Sequence, residues 1–327
     1  MNDRTGLSRF LADSGTPQEL TRVLLTAAAA GTRISRELRR SGISGETGST
    51  GGTNVQGELV KKMDTLANEI LVEAFRSAGD AAMVASEEME EPLILAPDAP
   101  YSVLFDPLDG SSNVDIGGSV GSIVSVQRAP RGAGLSRESL LQKGSGQAAA
   151  CYLNYGPSTT LVLSVGLGTH LFCLDPDGED FFLTLPSVRI PGRGRVYATN
   201  EGQRTYYHPG ARRFVEYLQA PEKSDGRPYS TRYSGCFVTD VHRILLEGGI
   251  YFYPADSRDP KRPHGKLRLL YECAPMGMLV EQAGGKASTG KGPISEIQPT
   301  EIHQRVPLYI GSPHEVSIAE EFEAESR

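Results

Sequence analysis

The chain has 327 residues, with 33 Lys and Arg against 40 Asp and Glu and a formal net charge of −7, the wrong balance for a protein that grips nucleic acid by neutralising phosphates. Apolar residues make up 39% and charged residues 22%, enough for a core and too apolar for a disordered chain. No run approaches ~18 consecutive apolar residues, so no membrane span is expected; Met1-Asn2-Asp3-Arg4 lacks the layout of a secretory leader, so a cytoplasmic location is expected.

From Pro17 to Arg40, apolar and small residues recur at helical spacing, with Gly42 as the expected stop. A loop rich in Gly, Ser and Thr over 42–57 is long enough to read as functional. A second helix is expected to stripe Leu59, Met63, Leu66, Ile70 and Ala74 on one face, with Gly79 beyond its end. Short apolar runs at 82–85, 101–105 and 121–127 read as strands. Four more between Ala148 and Leu185, separated by turn residues, read as an antiparallel meander. The pattern then alternates: strand 195–199, helices near 212–218 and 238–247, strand 250–253, helix 269–283, strand 306–310 and a last acidic helix. The sum is a layered α/β protein in two halves, 1–190 and 191–327. Cys151, Cys173, Cys236 and Cys273 contain no C-x-x-C pair, which argues against a zinc ribbon or a redox dithiol and for buried free thiols.

Carboxylates gather at Glu58, Asp64, Glu87-Glu88, and Asp106 with Asp109. The last two sit just past the run Tyr101–Phe105, at the carboxyl end of an expected strand, where open α/β sheets place ligands. Two carboxylates about 5 Å apart repel by roughly 3 kcal/mol at an effective dielectric of ~20, so a cluster needs a cation or a proton. Hard divalent ions such as Mg²⁺ take oxygen ligands and keep positions open for phosphate. In Asp106-Pro-Leu-Asp-Gly-Ser-Ser112, Pro107 fixes the chain between two acids, and Gly110, Ser111 and Ser112 offer amides and hydroxyls as a phosphate nest. One stretch thus supplies metal ligands and an anion cradle, the needs of metal-assisted phosphate ester hydrolysis. A solvated acidic loop is the plainer alternative, but D-P-L-D-G-S arises by chance on the order of once in 10⁵ chains of this length.

Asp64, Glu87-Glu88 and the Asp106–Ser112 segment together resemble the signature of the lithium-sensitive, Mg²⁺-dependent sugar phosphatases, and within them class I fructose-1,6-bisphosphatase. The likeness runs from about residue 20 to 315 and includes Val60-Lys-Lys-Met-Asp64, Asn200-Glu-Gly, Asp240-Val-His-Arg243, Gly265-Lys-Leu-Arg-Leu-Leu-Tyr-Glu272 and Ile302-His-Gln-Arg305. The related inositol monophosphatases close their metal site with Trp-Asp, and this chain has no Trp.

The resemblance implies a five-layer α-β-α-β-α sandwich and hydrolysis of the 1-phosphate of fructose 1,6-bisphosphate. It implies two or three Mg²⁺ per subunit, with Mn²⁺ as the alternative ion, held by Glu87, Asp106, Asp109, Glu272 and the Leu108 carbonyl, with Glu58 as a further, more mobile acid. Asp64 and Glu88 match the pair that takes a proton from the attacking water. Asp109, Gly110, Ser111 and Ser112 match the cradle of the reacting phosphate. Asn200, Tyr233, Tyr253 and Lys266 match residues binding the sugar and its 6-phosphate, and Arg232 matches an arginine reaching the neighbouring subunit's site, which implies a homotetramer. Tyr271 and Arg268 are expected to support the site. Gln203 stands where a phosphate-binding tyrosine is usual, with Tyr206 or Tyr207 as candidate replacements. Pro100-Tyr101 lacks the lysine of the AMP site, so inhibition by AMP is left open, as is the pathway, gluconeogenic or carbon-fixing. Sedoheptulose 1,7-bisphosphate keeps the same two-phosphate logic and stands as an alternative substrate. A catalytically silent phosphate-binding regulator is the non-enzyme alternative.

Overall fold

A computed structural model describes residues 5–44, 48–53, 59–130, 134–259 and 264–325. The first layer holds helices α1 (Leu7–Asp13), α2 (Gln18–Ser44) and α3 (Lys62–Ala78). Between α2 and α3, strands β1 (Ser49–Thr53) and β2 (Leu59–Lys61) pair antiparallel. Two helical expectations shift here. Gly42 does not stop α2, because Ser41 remains buried and packing carries the helix past the glycine. Leu59 belongs to β2 and not to the helical stripe; α3 begins where Asp64, its third residue, accepts the Lys61 amide at 3.1 Å.

The second layer is an eight-stranded sheet. Its strands are β3 (Met83–Ser86), β4 (Leu93–Ile94), β5 (Tyr101–Asp109), β6 (Val120–Arg128), β7 (Gln147–Tyr155), β8 (Thr159–Ser164), β9 (Thr169–Leu174) and β10 (Phe181–Val188). They lie in the order β10-β9-β8-β7-β6-β5-β3-β4, antiparallel except that β3 runs parallel to β5. The meander expected from the turns at 154–157, 166–168 and 175–178 is thus present as β7 to β10.

The fourth layer is a five-stranded sheet of β11 (Val196–Ala198), β12 (Ser230–Thr231), β13 (Ile250–Tyr253), β14 (Lys286–Ser288) and β15 (Leu308–Gly311), ordered β12-β11-β13-β15-β14. Helix α4 (Pro209–Gln219) and the last helix, α7 (Pro313–Ala324), cover its outer face. Helices α5 (Phe237–Glu247) and α6 (Ala274–Gln282) lie between the sheets. Three apolar cores separate the five layers: α1–α3 on the large sheet around Phe75, Phe105 and Phe172; α5 and α6 between the sheets around Tyr152, Val241 and Met276; α4 and α7 on the small sheet around Phe214, Phe252 and Tyr309. This is the expected α-β-α-β-α order. Among the described helices none is long and apolar enough to cross a membrane. All four cysteines are free, as expected, although Cys173 is only half-buried.

The decisive local feature is in β5, which continues through Asp109 where the sequence suggested an end at Phe105. Asp106 pairs with Ile123 and Asp109 with Gly121, so three steps on β5 face two on β6. The extra residue is a bulge at Pro107, which has no amide to give the ladder. In a regular strand Asp106 and Asp109, an odd number apart, would face opposite sides of the sheet. The bulge turns both toward one side, and the Ser122 hydroxyl holds it by donating to the Pro107 carbonyl at 2.6 Å.

Candidate active site

Three chain segments bring acids to the carboxyl ends of β3 and β5. Glu87 and Glu88 follow β3, and the Glu87 amide donates to the Phe105 carbonyl at 3.0 Å. Asp106 and Asp109 come from the bulged end of β5. Glu272 comes from a single π-helical turn, Leu269–Cys273, that leads into α6, a wide turn of the kind found at functional sites. Ligand oxygens of Glu87, Asp106 and Glu272 all lie within 4.8 Å of one another, and all three residues are buried.

The first chamber, about 470 Å³, is lined by six carboxylates (Asp64, Glu87, Glu88, Asp106, Asp109, Glu272) and three cations (Lys61, Lys266, Arg268) among the described residues. Its excess of negative charge must be met by protons or metal ions. Burial pushes Asp106 well above the carboxylate range, helped by the Glu87 and Glu272 charges, and its carboxyl is hydrogen-bonded to that of Glu87. Burial likewise raises Glu272 to about 8, with Glu87 repelling it, and Asp64 to about 6. A proton shared between buried carboxyls occupies the place that a hard cation takes in all-oxygen sites. The donor set therefore fits a divalent ion.

Arg268, 2% exposed, is the internal counter-charge: its Nη1 lies 2.5 Å from Glu87 Oε1 and 4.0 Å from Glu272 Oε2, and its amide donates to Glu272 Oε2 at 2.6 Å. It thus supports the acids, as the sequence suggested. Tyr271, fully buried against His303 with ring centroids 5.2 Å apart, lies behind the site and lines neither chamber described here.

Asp109 is committed differently. Its Oδ2 accepts the Val238 amide at 2.7 Å and the Cys236 thiol at 3.0 Å, so it caps the N-terminus of α5. Burial raises its pKa to about 6 against the pull of those bonds and of Lys266. This approach of α5 to the sheet depends on two glycines. A Cβ on Gly121 would lie 2.5 Å from Val238 Cβ, and one on Gly110, where φ is +75°, 2.6 Å from Cys236 Cβ. Gly110 then opens the 3-10 turn Ser111–Ile116, whose first residues line the chamber as the expected nest. Asp64, 6% exposed, is hydrogen-bonded by the Lys61 amide and Ser111, and Glu88 lines the same chamber. The Leu108 amide donates to Asp106 Oδ1 at 3.0 Å. Glu58, Lys261 and Arg262 lie outside the described residues.

A second chamber of about 650 Å³ adjoins the first, with Ser112, Tyr233, Gly235, Tyr253 and Lys266 lining both. Asn200 and Gln203 belong to it; Tyr206 and Tyr207 do not, so neither stands in for the missing tyrosine. Tyr207 instead bonds the Asn200 carbonyl at 2.8 Å. Arg232 lines neither chamber of its own chain and donates to the Thr231 carbonyl at 2.8 Å.

Residues 232–235 are fixed from two sides. Asp240, 4% exposed, takes the Ser234 amide at 2.9 and 3.1 Å, and Asn113 Nδ2 donates to the Ser234 carbonyl at 3.1 Å. The sequence motifs contain Asp240 and Lys61 without giving them a role, and Cys236 and Val238 were overlooked at the site. The hint was the run Gly235-Cys-Phe-Val238 opening an amphipathic helix, whose free amides attract a carboxylate. Burial lifts Asp240 to about 7. The folded chain therefore keeps a proton that the unfolded chain releases, and this group's contribution to stability falls as pH rises from about 4 to about 7. Asp240→Asn is expected to remove that slope, gaining roughly 2–4 kcal/mol relative to wild type between pH 4 and 8. Unfolding free energies of both proteins across that range check it, and a pH-independent difference would contradict it.

The comparisons agree with this geometry. Family models described as the fructose-1-6-bisphosphatase N-terminal and C-terminal domains match residues 7–186 and 190–324. The class 1 fructose-1,6-bisphosphatase of Chloroherpeton thalassium is 45% identical, covering 99% of this chain and 94% of its own. That of Thermosynechococcus vestitus is 47% identical over 93% and 87%. The crystal structure of Leishmania major fructose-1,6-bisphosphatase in its holo form superposes with a TM-score of 0.93 at 37% identity, covering 98% of this chain and 99% of that one; the apo form gives 0.87 at 36%. A buried acid cluster beside a second chamber, on a five-layer frame matched along nearly its whole length, leaves one conclusion: this chain belongs to the fructose-1,6-bisphosphatase family.

Proposed function

We propose that the chain hydrolyses the 1-phosphate of fructose 1,6-bisphosphate, releasing fructose 6-phosphate and inorganic phosphate. The observation that carries this reading is the joining of two unlike chambers, one rich in acids and one where Lys266 and Arg258 stand beside Asp256 and Asp259, through shared walls. A sugar with two phosphates suits that pair: the reacting phosphate among the metals and the other among the cations. The family uses divalent metal, and the ion we assign is Mg²⁺, with Mn²⁺ as substitute, held by Glu87, Asp106, Asp109, Glu272 and the Leu108 carbonyl. When bound, it polarises the phosphoryl group and offsets charge on the departing oxygen.

The chain's own groups supply the rest. Asp64, with a pKa of about 6 set mainly by burial, is poised to accept a proton near neutral pH and works with Glu88 as the base pair for the attacking water. Gly110, Ser111 and Ser112, with Asp109, cradle the reacting phosphate. Asn200, Tyr233, Tyr253 and Lys266 hold the sugar and the remote phosphate. The acids come from the half 1–190, apart from Glu272, and the remote-phosphate residues come from the half 191–327. Arg232, which lines neither chamber of its own chain, suits a place in a neighbouring subunit's site, in a cytoplasmic homotetramer.

Lys266→Ala is expected to raise KM about 10-fold or more, since it removes a charge-assisted phosphate contact, with a smaller loss in kcat; a wild-type KM in this variant would contradict the assignment. Sedoheptulose 1,7-bisphosphate, one carbon longer, keeps the same two-phosphate logic and stands as the alternative substrate. Phosphate release from both esters, with Mg²⁺ and with EDTA, tests the reading. Turnover of the fructose ester alone supports the narrower activity, and comparable rates support a dual enzyme. Release from neither in a folded, Mg²⁺-binding protein would favour the silent regulator.

A further inference from the structure

The peptide between Pro107 and Leu108 joins two of the proposed metal ligands, the Asp106 carboxylate and the Leu108 carbonyl, within the bulge of β5. Ladder partners stand on either side of it, Asp106 with Ile123 and Asp109 with Gly121, so Ser122 of β6 faces this peptide. Both ends of the peptide are held. Its carbonyl, that of Pro107, accepts the Ser122 hydroxyl at 2.6 Å, and its N–H, that of Leu108, donates to Asp106 Oδ1 at 3.0 Å. A peptide is a rigid plane. Tilting this one would weaken both bonds and turn the backbone from which the Leu108 carbonyl extends.

Ser122 is fully buried, and its oxygen lies 2.9 Å from the phenol oxygen of the buried Tyr155. Each of these hydroxyls has one proton to give. That of Ser122 goes to the Pro107 carbonyl, so the bond between the two hydroxyls has Tyr155 as donor and Ser122 Oγ as acceptor. Burial pushes the Tyr155 phenol well above its usual pKa, which keeps this proton in place. One directed chain results: Tyr155 O–H to Ser122, Ser122 O–H to Pro107, Leu108 N–H to Asp106. Each bond in such a chain polarises the next. Its origin is fixed by regular strands, since Tyr155 ends β7 opposite Val120 and stands diagonally across from Ser122, which faces Leu153. Neither Ser122 nor Tyr155 lines the acid chamber, so their influence on it passes through the bulge.

We propose that Ser122 and Tyr155 are positioning residues that orient Asp106 and the Leu108 carbonyl for the divalent ion. The inference rests on the ligand assignment under the function proposed above. It is tested by calorimetric titration of Mg²⁺ into folded wild type, Ser122→Ala, Tyr155→Phe and the double variant, with thermal unfolding alongside. Ser122→Ala is expected to weaken Mg²⁺ binding about 10-fold, the usual scale for losing a group that orients a metal ligand. Tyr155→Phe keeps the ring and its packing and removes only the first donor, so a loss of about threefold is expected; it carries the test should Ser122→Ala fail to fold. Both variants should also unfold at lower temperature, since each leaves a buried polar group short of a partner. Because Tyr155 acts through Ser122, the double variant should bind Mg²⁺ no more weakly than Ser122→Ala alone. Lowered thermal stability with Mg²⁺ affinity unchanged in Tyr155→Phe, or changed less than about twofold in Ser122→Ala, would mark purely structural hydroxyls and overturn the proposal. Losses that add in the double variant would overturn it as well. A wild-type chain that binds no Mg²⁺ would instead overturn the underlying ligand assignment, and the proposal with it.

Discussion

Asp109→Ala is expected to lower kcat/KM for fructose 1,6-bisphosphate by on the order of 10³-fold. Asp109 lines the first chamber and also caps α5 through the Val238 amide at 2.7 Å, so the alanine variant loses two things. Loss of the cap costs about 1 kcal/mol of stability; loss of the charge removes the proposed metal ligand, and with it the rate is expected to fall. Asp109→Asn separates them, because its amide oxygen still accepts from Val238 while the negative charge is gone. The asparagine variant is expected to unfold within a few degrees of wild type and to lose nearly as much activity as the alanine variant. Thermal unfolding beside steady-state kinetics checks this. Full activity in Asp109→Asn would remove Asp109 from the metal site and leave it as a helix cap alone.

Protons and the divalent ion compete for the acid cluster, and this coupling sets the second large effect. Burial and mutual repulsion raise Glu272 to about 8, Asp109 to about 6, and Asp106 well above the ordinary range. Every shift is upward, so the metal-free folded chain holds protons that the unfolded chain releases above pH 4. Its stability therefore falls as pH rises from about 4 to about 8. A bound divalent ion must displace those protons, so its affinity rises over the upper part of the same window. The half-saturating Mg²⁺ concentration is expected to fall by on the order of 10-fold between pH 6.5 and 8.5. EDTA-treated protein should lose thermal stability over that interval while Mg²⁺-loaded protein holds it. Calorimetry in buffers of different ionisation enthalpy should detect proton release on binding. A pH-independent Mg²⁺ requirement with no proton release would contradict the charge balance described for the chamber.

The elements that sequence periodicity located well are those whose burial has one clear period. Ile250–Tyr253 is a strand where expected, and α5 begins one residue before the expected Val238. The meander was legible because Gly, Pro and Asp mark its turns. What periodicity missed is where tertiary contacts override local preference. Gly42 should end a helix by itself, yet packing around Ser41 continues it. Pro107 should end a strand, yet a bulge takes it into β5, and that bulge is what sets Asp106 and Asp109 on one side.

The site divides along the same line. Glu87, Asp106 and Glu272 come from distant segments and meet within 4.8 Å; no spacing rule on one sequence groups them, and the family resemblance alone groups them as expected ligands.

The most direct measurement identifies the sugar product and the phosphate released from fructose 1,6-bisphosphate by the wild-type chain, with Mg²⁺ and with EDTA. Fructose 6-phosphate and phosphate in equal amounts, formed with Mg²⁺ and suppressed by EDTA, is the expected result. Release that persists in EDTA, or fructose 1-phosphate as the product, would contradict the assignment of the acid chamber to the 1-phosphate.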